Sequence, residues 1–257
     1  MIAFAGGLLD PDHWRIIENC ICVHSIPSSN ALARELMELY FEEAQPLRAT
    51  VLAAEAQPAA YGRNGRHWAA PTGQGIYLTL VRRALEAEPL SVVPIAVARW
   101  TREVLREQTG AAIELKWPND LYSRRRKVAG IIAESRTQGD ETYVAVGIGV
   151  NVRGRSGSLG VSNATTIEEE TGCATAIAPL LQALLDRLDS ELAEPRWADE
   201  VREWELASLH RPGDRLTIRR NGEEVTGEYL GLDPSGFLRL RTESGEAIVS
   251  SGEVARW

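Results

Sequence analysis

Apolar positions along the chain follow two rhythms, and their order sets out the expected architecture. Residues 16–26, rich in Ile, Val and Cys, and residues 50–56, with Val, Leu and Ala, have strand texture. Between them, Pro27-Ser28-Ser29-Asn30 offers capping residues ahead of an eleven-residue run whose apolar positions recur at helical spacing. Residues 75–82 alternate as a strand should, and residues 91–108 form a long helix with Pro94 near its start. A strand at 113–117 is broken by Pro118-Asn119-Asp120. Apolar runs at 128–133 and 143–152 then flank a polar turn at Gln138-Gly139-Asp140. This reads as an antiparallel meander backed by helices, an α+β arrangement.

Beyond it, residues 153–162 make a Gly/Ser/Arg loop, and a helix begins at Thr165 with acidic residues in its first turn, where the dipole favours them. Helices are expected at 176–192 and 197–209. After His210 the texture changes to short alternating runs at 216–219, 225–232, 237–240 and 247–249. Asn221-Gly222, Asp233-Pro234 and Ser244-Gly245 punctuate them as turns. Two domains follow from this, residues 1–210 and a small all-β, barrel-like unit over 211–257.

Composition narrows the setting. A 257-residue chain that is 44% hydrophobic and 25% charged is an ordinary globular protein, and its net charge of −8 gives no general attraction to nucleic acid. No apolar run approaches the roughly 20 residues needed to span a bilayer. Residues 1–9 lack a basic leading segment and make a poor signal peptide. Cys20 and Cys22 fall on one face of a strand and read as buried structural thiols. With Cys173 they form no secreted disulfide framework, so a reducing cytoplasm is expected.

Three clusters carry candidate chemistry. The stretch from Gln57 to Gly75 packs glycines around Arg63, Arg66 and His67, as expected of a mobile loop that offers guanidinium forks to an anion. Lys116-Trp117-Pro118-Asn119-Asp120 reads either as phosphate and hydroxyl contacts or as a plain strand-ending turn. Lys127 stands at the mouth of an apolar strand, where its ammonium either snorkels or meets a bound anion. The preceding Arg124-Arg125-Arg126 fits a solvated hairpin turn. Ser28, Ser29 and Asn30 are helix-capping residues by composition, though the free N–H groups of a helix start also suit a ligand. No Gly-x-Ser-x-Gly turn, Cys/His pair or Walker loop is present, so reaction by positioning and charge stabilisation is expected.

In their order these clusters resemble the biotin protein ligases over nearly the whole chain. The likeness runs through Ser28-Ser29-Asn30, Gln57 with Gly62-Arg63-x-Gly65-Arg66-x-Trp68, and Lys116 to Leu121. It continues through Lys127-Val128-Ala129-Gly130-Ile131 and Gly147-Ile148-Gly149-Val150-Asn151. It implies a mixed or antiparallel sheet backed by helices, like a class II aminoacyl-tRNA synthetase catalytic domain, with an SH3-like barrel after it. It implies that biotin and MgATP form biotinyl-5′-AMP and that a lysine of a biotin carboxyl carrier domain then takes the biotin. Biotin would meet Ser28, Ser29, Asn30, Gln57, Tyr61, Gly62, Gly147 and Gly149, with Arg63 and Lys127 at its carboxylate as the catalytic pair. ATP would meet Arg63, Arg66, Trp68, Lys116, Asn119, Asp120 and Asn151, with Asp120 also toward magnesium.

The resemblance also implies a loop that orders around ligand, and it permits a homodimer. Two departures stand out. Ser29 replaces the usual threonine, and Ala60-Tyr61 stands where the family has its first Gly-Arg, implying weaker adenylate retention. The short segment before the first strand leaves no room for the winged helix of repressor relatives, so DNA binding is not expected. A lipoate-type ligase and a non-catalytic biotin-binding module are the alternatives.

Overall fold

The computed structural model describes residues 1–43, 45–155, 157, 163–220 and 222–257. Part of the loop expected at 153–162, and Asn221 of an expected turn, lie outside the described residues.

The chain opens with a hairpin, β1 (Ile2–Phe4) and β2 (Gly7–Leu9), that the apolar pattern did not reveal because three-residue strands are too short to show a period. Ala5 and Gly6 turn it with φ of 49° and 79°. β3 (Asn19–Ser25) leads through α1 (Ser29–Glu42) to β4 (Thr50–Ala56). The helix crossover makes β3 and β4 parallel, so the sheet is mixed, as the family resemblance allowed, and not only the antiparallel meander that the apolar pattern showed. β5 (Gly75–Arg83) follows the glycine loop, and α2 (Val93–Thr109) carries Pro94 at its start and a left-handed Gly110 at its end. β6 (Glu114–Lys116), β7 (Asp120–Ser123), β8 (Arg126–Gln138) and β9 (Glu141–Asn151) complete a seven-stranded mixed sheet, ordered β3-β4-β5-β9-β8-β7-β6.

The two faces of this sheet are covered unequally. Alternate residues Val144, Val146, Ile148 and Val150 of β9, with Ile76, Leu78 and Leu80 of β5, join the main core under α2 and α4 (Ile177–Ala193). On the opposite face α1 is the helix packed on the sheet among the described residues, seating Ala33 and Met37 on Leu52, Val81 and Ala145. On that face Gly147 and Gly149 follow Ala145, so the sheet is bare just where α1 begins.

α3 (Ile167–Thr171) starts two residues later than expected, with Thr166 as its cap. α5 (Trp197–Leu206) is shorter than expected, because the chain at 207–209 leaves the helix to pair with Leu115. Strands β10 (Arg215–Arg220), β11 (Glu223–Leu232), β12 (Leu238–Thr242), β13 (Gly245–Val249) and β14 (Glu253–Arg256) form a five-stranded antiparallel sheet ordered β13-β12-β11-β10-β14. β14 had no sequence signal. The Trp117 indole N–H donates to Gly236 O at 3.0 Å, and Leu232 N–H donates to Glu205 at 2.6 Å, seating this sheet on the first unit. Cys20 and Cys22 do share a face, with sulfurs 3.7 Å apart, but they are half-buried rather than buried. Among the described residues no helix is long and apolar enough to cross a membrane.

One buried ion pair locks the helical layer. Glu200 accepts from Arg99 Nε at 2.6 Å and Nη2 at 2.9 Å, and from the Trp100 indole at 3.1 Å. Arg99 also donates from Nη1 to Glu103 at 2.5 Å, so loss of Glu200 leaves its charge partly paired while orphaning Nε and the Trp100 indole. Glu200→Ala is therefore expected to lower stability by about 1–3 kcal/mol, read from urea denaturation.

Candidate active site

The bare patch of the sheet forms the floor of a cavity of about 510 Å³. The glycine loop and the strand β14 roof it, and every site residue expected from the sequence lines it.

One end of the cavity is neutral and rich in hydrogen-bonding groups. Ser28 caps α1 in an extended conformation, its hydroxyl accepting from Ala31 N–H at 3.3 Å, so the capping reading holds for it. Ser29 and Asn30, one step into the helix, are buried and face the cavity. Gln57 Nε2 donates to Ser29 Oγ at 2.9 Å and Gln57 Oε1 accepts from Ser29 N–H at 3.0 Å. The Thr79 hydroxyl, at 2.7 Å from Ser29 Oγ and 2.5 Å from Asn30 Oδ1, closes the network. Thr79 was not anticipated. Its signal was only a hydroxyl at an inward position of an alternating strand.

The floor glycines make room for protein side chains. A Cβ on Gly147 would collide with the Asn30 amide, and one on Gly149 would lie 2.7 Å from the Trp68 ring. Trp68 thus rests on the sheet at Gly149 and Gly130, with its indole N–H buried and unpartnered. Asn151, expected at the nucleotide, donates from Nδ2 to Thr165 O at 3.1 Å, so its amide already ties β9 to the segment before α3.

The other end is cationic. Arg63 donates to Gly252 O at 3.0 Å and reaches Asn119 Oδ1 at 3.4 Å. Asn119 Nδ2 in turn donates to Ile131 O, which fixes the turn after the cis Trp117–Pro118 bond. Arg66 pairs with Glu253 at 2.6 Å, and Lys127 pairs with Asp120 at 2.6 Å. Four cations and two carboxylates line the cavity, so a chain that is acidic overall presents a positive pocket. Burial lowers the affinity of the Arg63 guanidinium for its proton, while Asp120 and Glu253 raise it. Burial also pushes Lys116 down to about 8.

Backbone hydrogen bonds run within the loop. Gly62 N–H donates to Arg66 O at 2.8 Å, and Trp68 N–H donates to Ala60 O at 3.0 Å. Ala60 is buried with Ala70 against Tyr77, and the Tyr61 hydroxyl lies 3.5 Å from Glu134. The departure at Ala60-Tyr61 is therefore built into the loop's packing. The contacts from Gly252, just before β14, and from Glu253, its first residue, were missed because their partners stand far away in sequence. In the basic run, Arg124 is exposed as a solvated hairpin turn requires, but Arg126 is half-buried and bonds Glu169 and the buried Glu170 at 2.8 and 2.5 Å, so that reading does not hold for it.

A roofed cavity with one amide-and-hydroxyl end and one cationic end can hold a neutral polar head group and an anion side by side. Comparison with known proteins makes the class specific. Residues 24–151 match the biotin/lipoate A/B protein ligase family, and residues 213–257 match the biotin protein ligase C-terminal domain. The chain is 36% identical to the biotin–[acetyl-CoA-carboxylase] ligase of Paracoccus denitrificans, over 80% of this chain and 89% of that one. It is 30% identical to the bifunctional ligase/repressor BirA of Escherichia coli, over 79% of this chain and 64% of that one. A biotin protein ligase from Aquifex aeolicus, solved in complex with biotin and ATP, superposes with a TM-score of 0.73 at 26% identity, over 93% and 98% of the two chains. The chain belongs to the biotin protein ligase family.

Lys116 yields a prediction. Its folded value, about 8, lies below the ordinary 10.5. Between these values the unfolded chain holds the proton and the folded chain does not, so this lysine makes stability rise with pH. Lys116→Met is expected to remove that rise, which urea midpoints compared at pH 7.5 and 10 would reveal.

Proposed function

We propose that this chain activates biotin with ATP and transfers it to a lysine of a biotin carboxyl carrier domain, such as that of acetyl-CoA carboxylase. The observation that carries this reading is the meeting, in one cavity, of a neutral amide-and-hydroxyl end with a cationic end. Ser29, Asn30 and Gln57, positioned by Thr79, suit the ureido head, which both donates and accepts hydrogen bonds. Arg63 and Lys127 lie toward the opposite end, where the biotin carboxylate must approach the α-phosphate. Two anions approach only if their charge is offset, and fixed cations in a water-poor cavity do this without reorganising.

In the first step a carboxylate oxygen bonds to the α-phosphorus and the bond to pyrophosphate breaks. In the second, the carrier lysine's amine bonds to the acyl carbon, AMP leaves with the bonding electrons, and the amine loses a proton. No side chain becomes covalently attached, in keeping with a site that works by orientation. Arg66, Trp68, Lys116, Asn119 and Asn151 are assigned to the nucleotide side. Tyr61, Gly62 and Gly149 border the acyl chain.

Magnesium enters with the triphosphate as MgATP. Among the described residues no group of three or more metal-ligating side chains gathers. A single carboxylate, Asp120, fits an ion held mostly by phosphate oxygens and water.

The reading includes several finer assignments. Residues 1–210 form the catalytic unit, akin to class II aminoacyl-tRNA synthetases, and residues 211–257 form an SH3-like unit. The compartment is the cytoplasm, a homodimer is allowed, and DNA is not a partner. The glycine loop is assigned as a lid that biotinyl-AMP protects from proteolysis between Gly62 and Gly73, and equal cleavage with and without it would count against that role.

The test is pyrophosphate release that depends on biotin, followed by a streptavidin blot of a purified carrier domain. Release driven by lipoate would move the reading to the lipoate ligases, and tight biotin binding without release would make the chain a binding module. Arg63→Ala is expected to cut adenylate formation by about 10²–10³-fold, in line with the loss of one charge-stabilising donor. Gly147→Ala, by displacing the Asn30 amide, is expected to weaken biotin at least about tenfold, the cost of one hydrogen-bonding group. Titration calorimetry would show it.

A further inference from the structure

Of the four cations lining the cavity, two are neutralised by carboxylates: Lys127 by Asp120 and Arg66 by Glu253. Lys116 is held differently. Among the described residues no carboxylate oxygen lies within 4 Å of its ammonium. Instead Nζ sits 3.9 Å from the centroid of the Trp257 ring, 5.1 Å from that of Tyr122, and 3.4 Å from the Tyr122 hydroxyl. An aromatic face attracts a cation without cancelling its charge, so among the described residues no directly bonded carboxylate offsets the charge that the Lys116 ammonium presents to a ligand.

The Trp257 ring is itself fixed. Tyr122 meets it edge-on at 6.1 Å and 88°, and His210 does so at 5.8 Å and 77°. The Arg125 guanidinium lies 5.6 Å from the ring, and Arg125 Nη2 donates to the main-chain oxygen of Trp257 at 3.3 Å. Both Lys116 and Trp257 line the cavity. Lys116 ends β6 of the first sheet, whereas Trp257 follows β14 of the second.

We infer that Trp257 is a positioning residue for the activation step, its indole face holding the Lys116 ammonium toward the phosphates of the bound nucleotide. This rests on the ligase reading above. It adds a contribution from the C-terminal unit that works through Lys116 and is selective for the nucleotide over biotin.

The test compares Trp257→Phe, which keeps a π face, with Trp257→Leu, which keeps apolar bulk without one, in the full chain. Trp257→Leu is expected to raise KM for ATP about 2- to 30-fold, the range spanned by one cation–π contact. KM for biotin should stay within about twofold, and Trp257→Phe should recover most of the loss because it retains the ring face. Transfer from supplied biotinyl-AMP to the carrier should be unchanged. A Leu variant that behaves as wild type overturns the inference. So does a fall in which both KM values and kcat move together in both variants, because that marks general loss of structure. Biotin-dependent pyrophosphate release by the wild-type chain is measured alongside. Its absence would fail the ligase reading itself, a result distinct from either outcome for Trp257.

Discussion

A sheet that lacks side chains on one face at the right three positions underlies everything else in this structure. Along β9 the residues facing the main core are Val146, Ile148 and Val150, while those facing the other way are Gly147 and Gly149. Gly130 of β8 stands beside Gly149 in register. α1 shields the neighbouring part of that face through Ala33 and Met37, and its first residues lie where the glycines stand. The cavity is thus the place where a helix begins beside a surface with nothing to bury. The helix start brings Ser29 and Asn30 to its rim, and Trp68 settles against the glycine floor. Methyl groups at these positions would meet Asn30, Trp68 and Lys127 first and the ligand only indirectly.

Charge is arranged with the same economy. Arg66 and Lys127 are anchored by carboxylates, which fixes them and mutes them. Arg63 and Lys116 are anchored by a carbonyl, an amide and aromatic rings, which fix them without neutralising them. The unneutralised charges are thereby those held by groups that carry none. A polyphosphate entering such a site meets cations already desolvated and oriented, so little of its binding energy goes into moving them.

Much of this was legible in the sequence because it is local. Gln57, the arginines of the glycine loop, Lys116 to Asp120 and Lys127 all stand at or beside strand ends, and a sheet delivers the ends of its strands to a common edge. The helical backing and the antiparallel strands from β5 onward followed from periodicity, whereas a mixed or antiparallel sheet was what the family resemblance implied. What escaped reading was non-local or too short. Gly252 and Glu253 matter only because β14 passes over Arg63 and Arg66, a meeting that no spacing within either segment announces. Thr79 acts through its facing in β5. The parallel pairing of β3 with β4 depends on the path of α1 between them, and the β1–β2 hairpin is shorter than any detectable period.

The ion pair between Arg66 and Glu253 has one more implication. Its atoms are 2.6 Å apart, yet the side chains are 61% and 41% exposed. Pairs this wet contribute about 0–1 kcal/mol, which biases a closed-to-open ratio by no more than about fivefold. The roof is therefore clasped but not locked, and its fastening weakens as salt shortens the reach of charge. An incoming anion can therefore draw Arg66 away from Glu253 at little cost, while the second sheet stays seated on the first through the Trp117 and Leu232 hydrogen bonds.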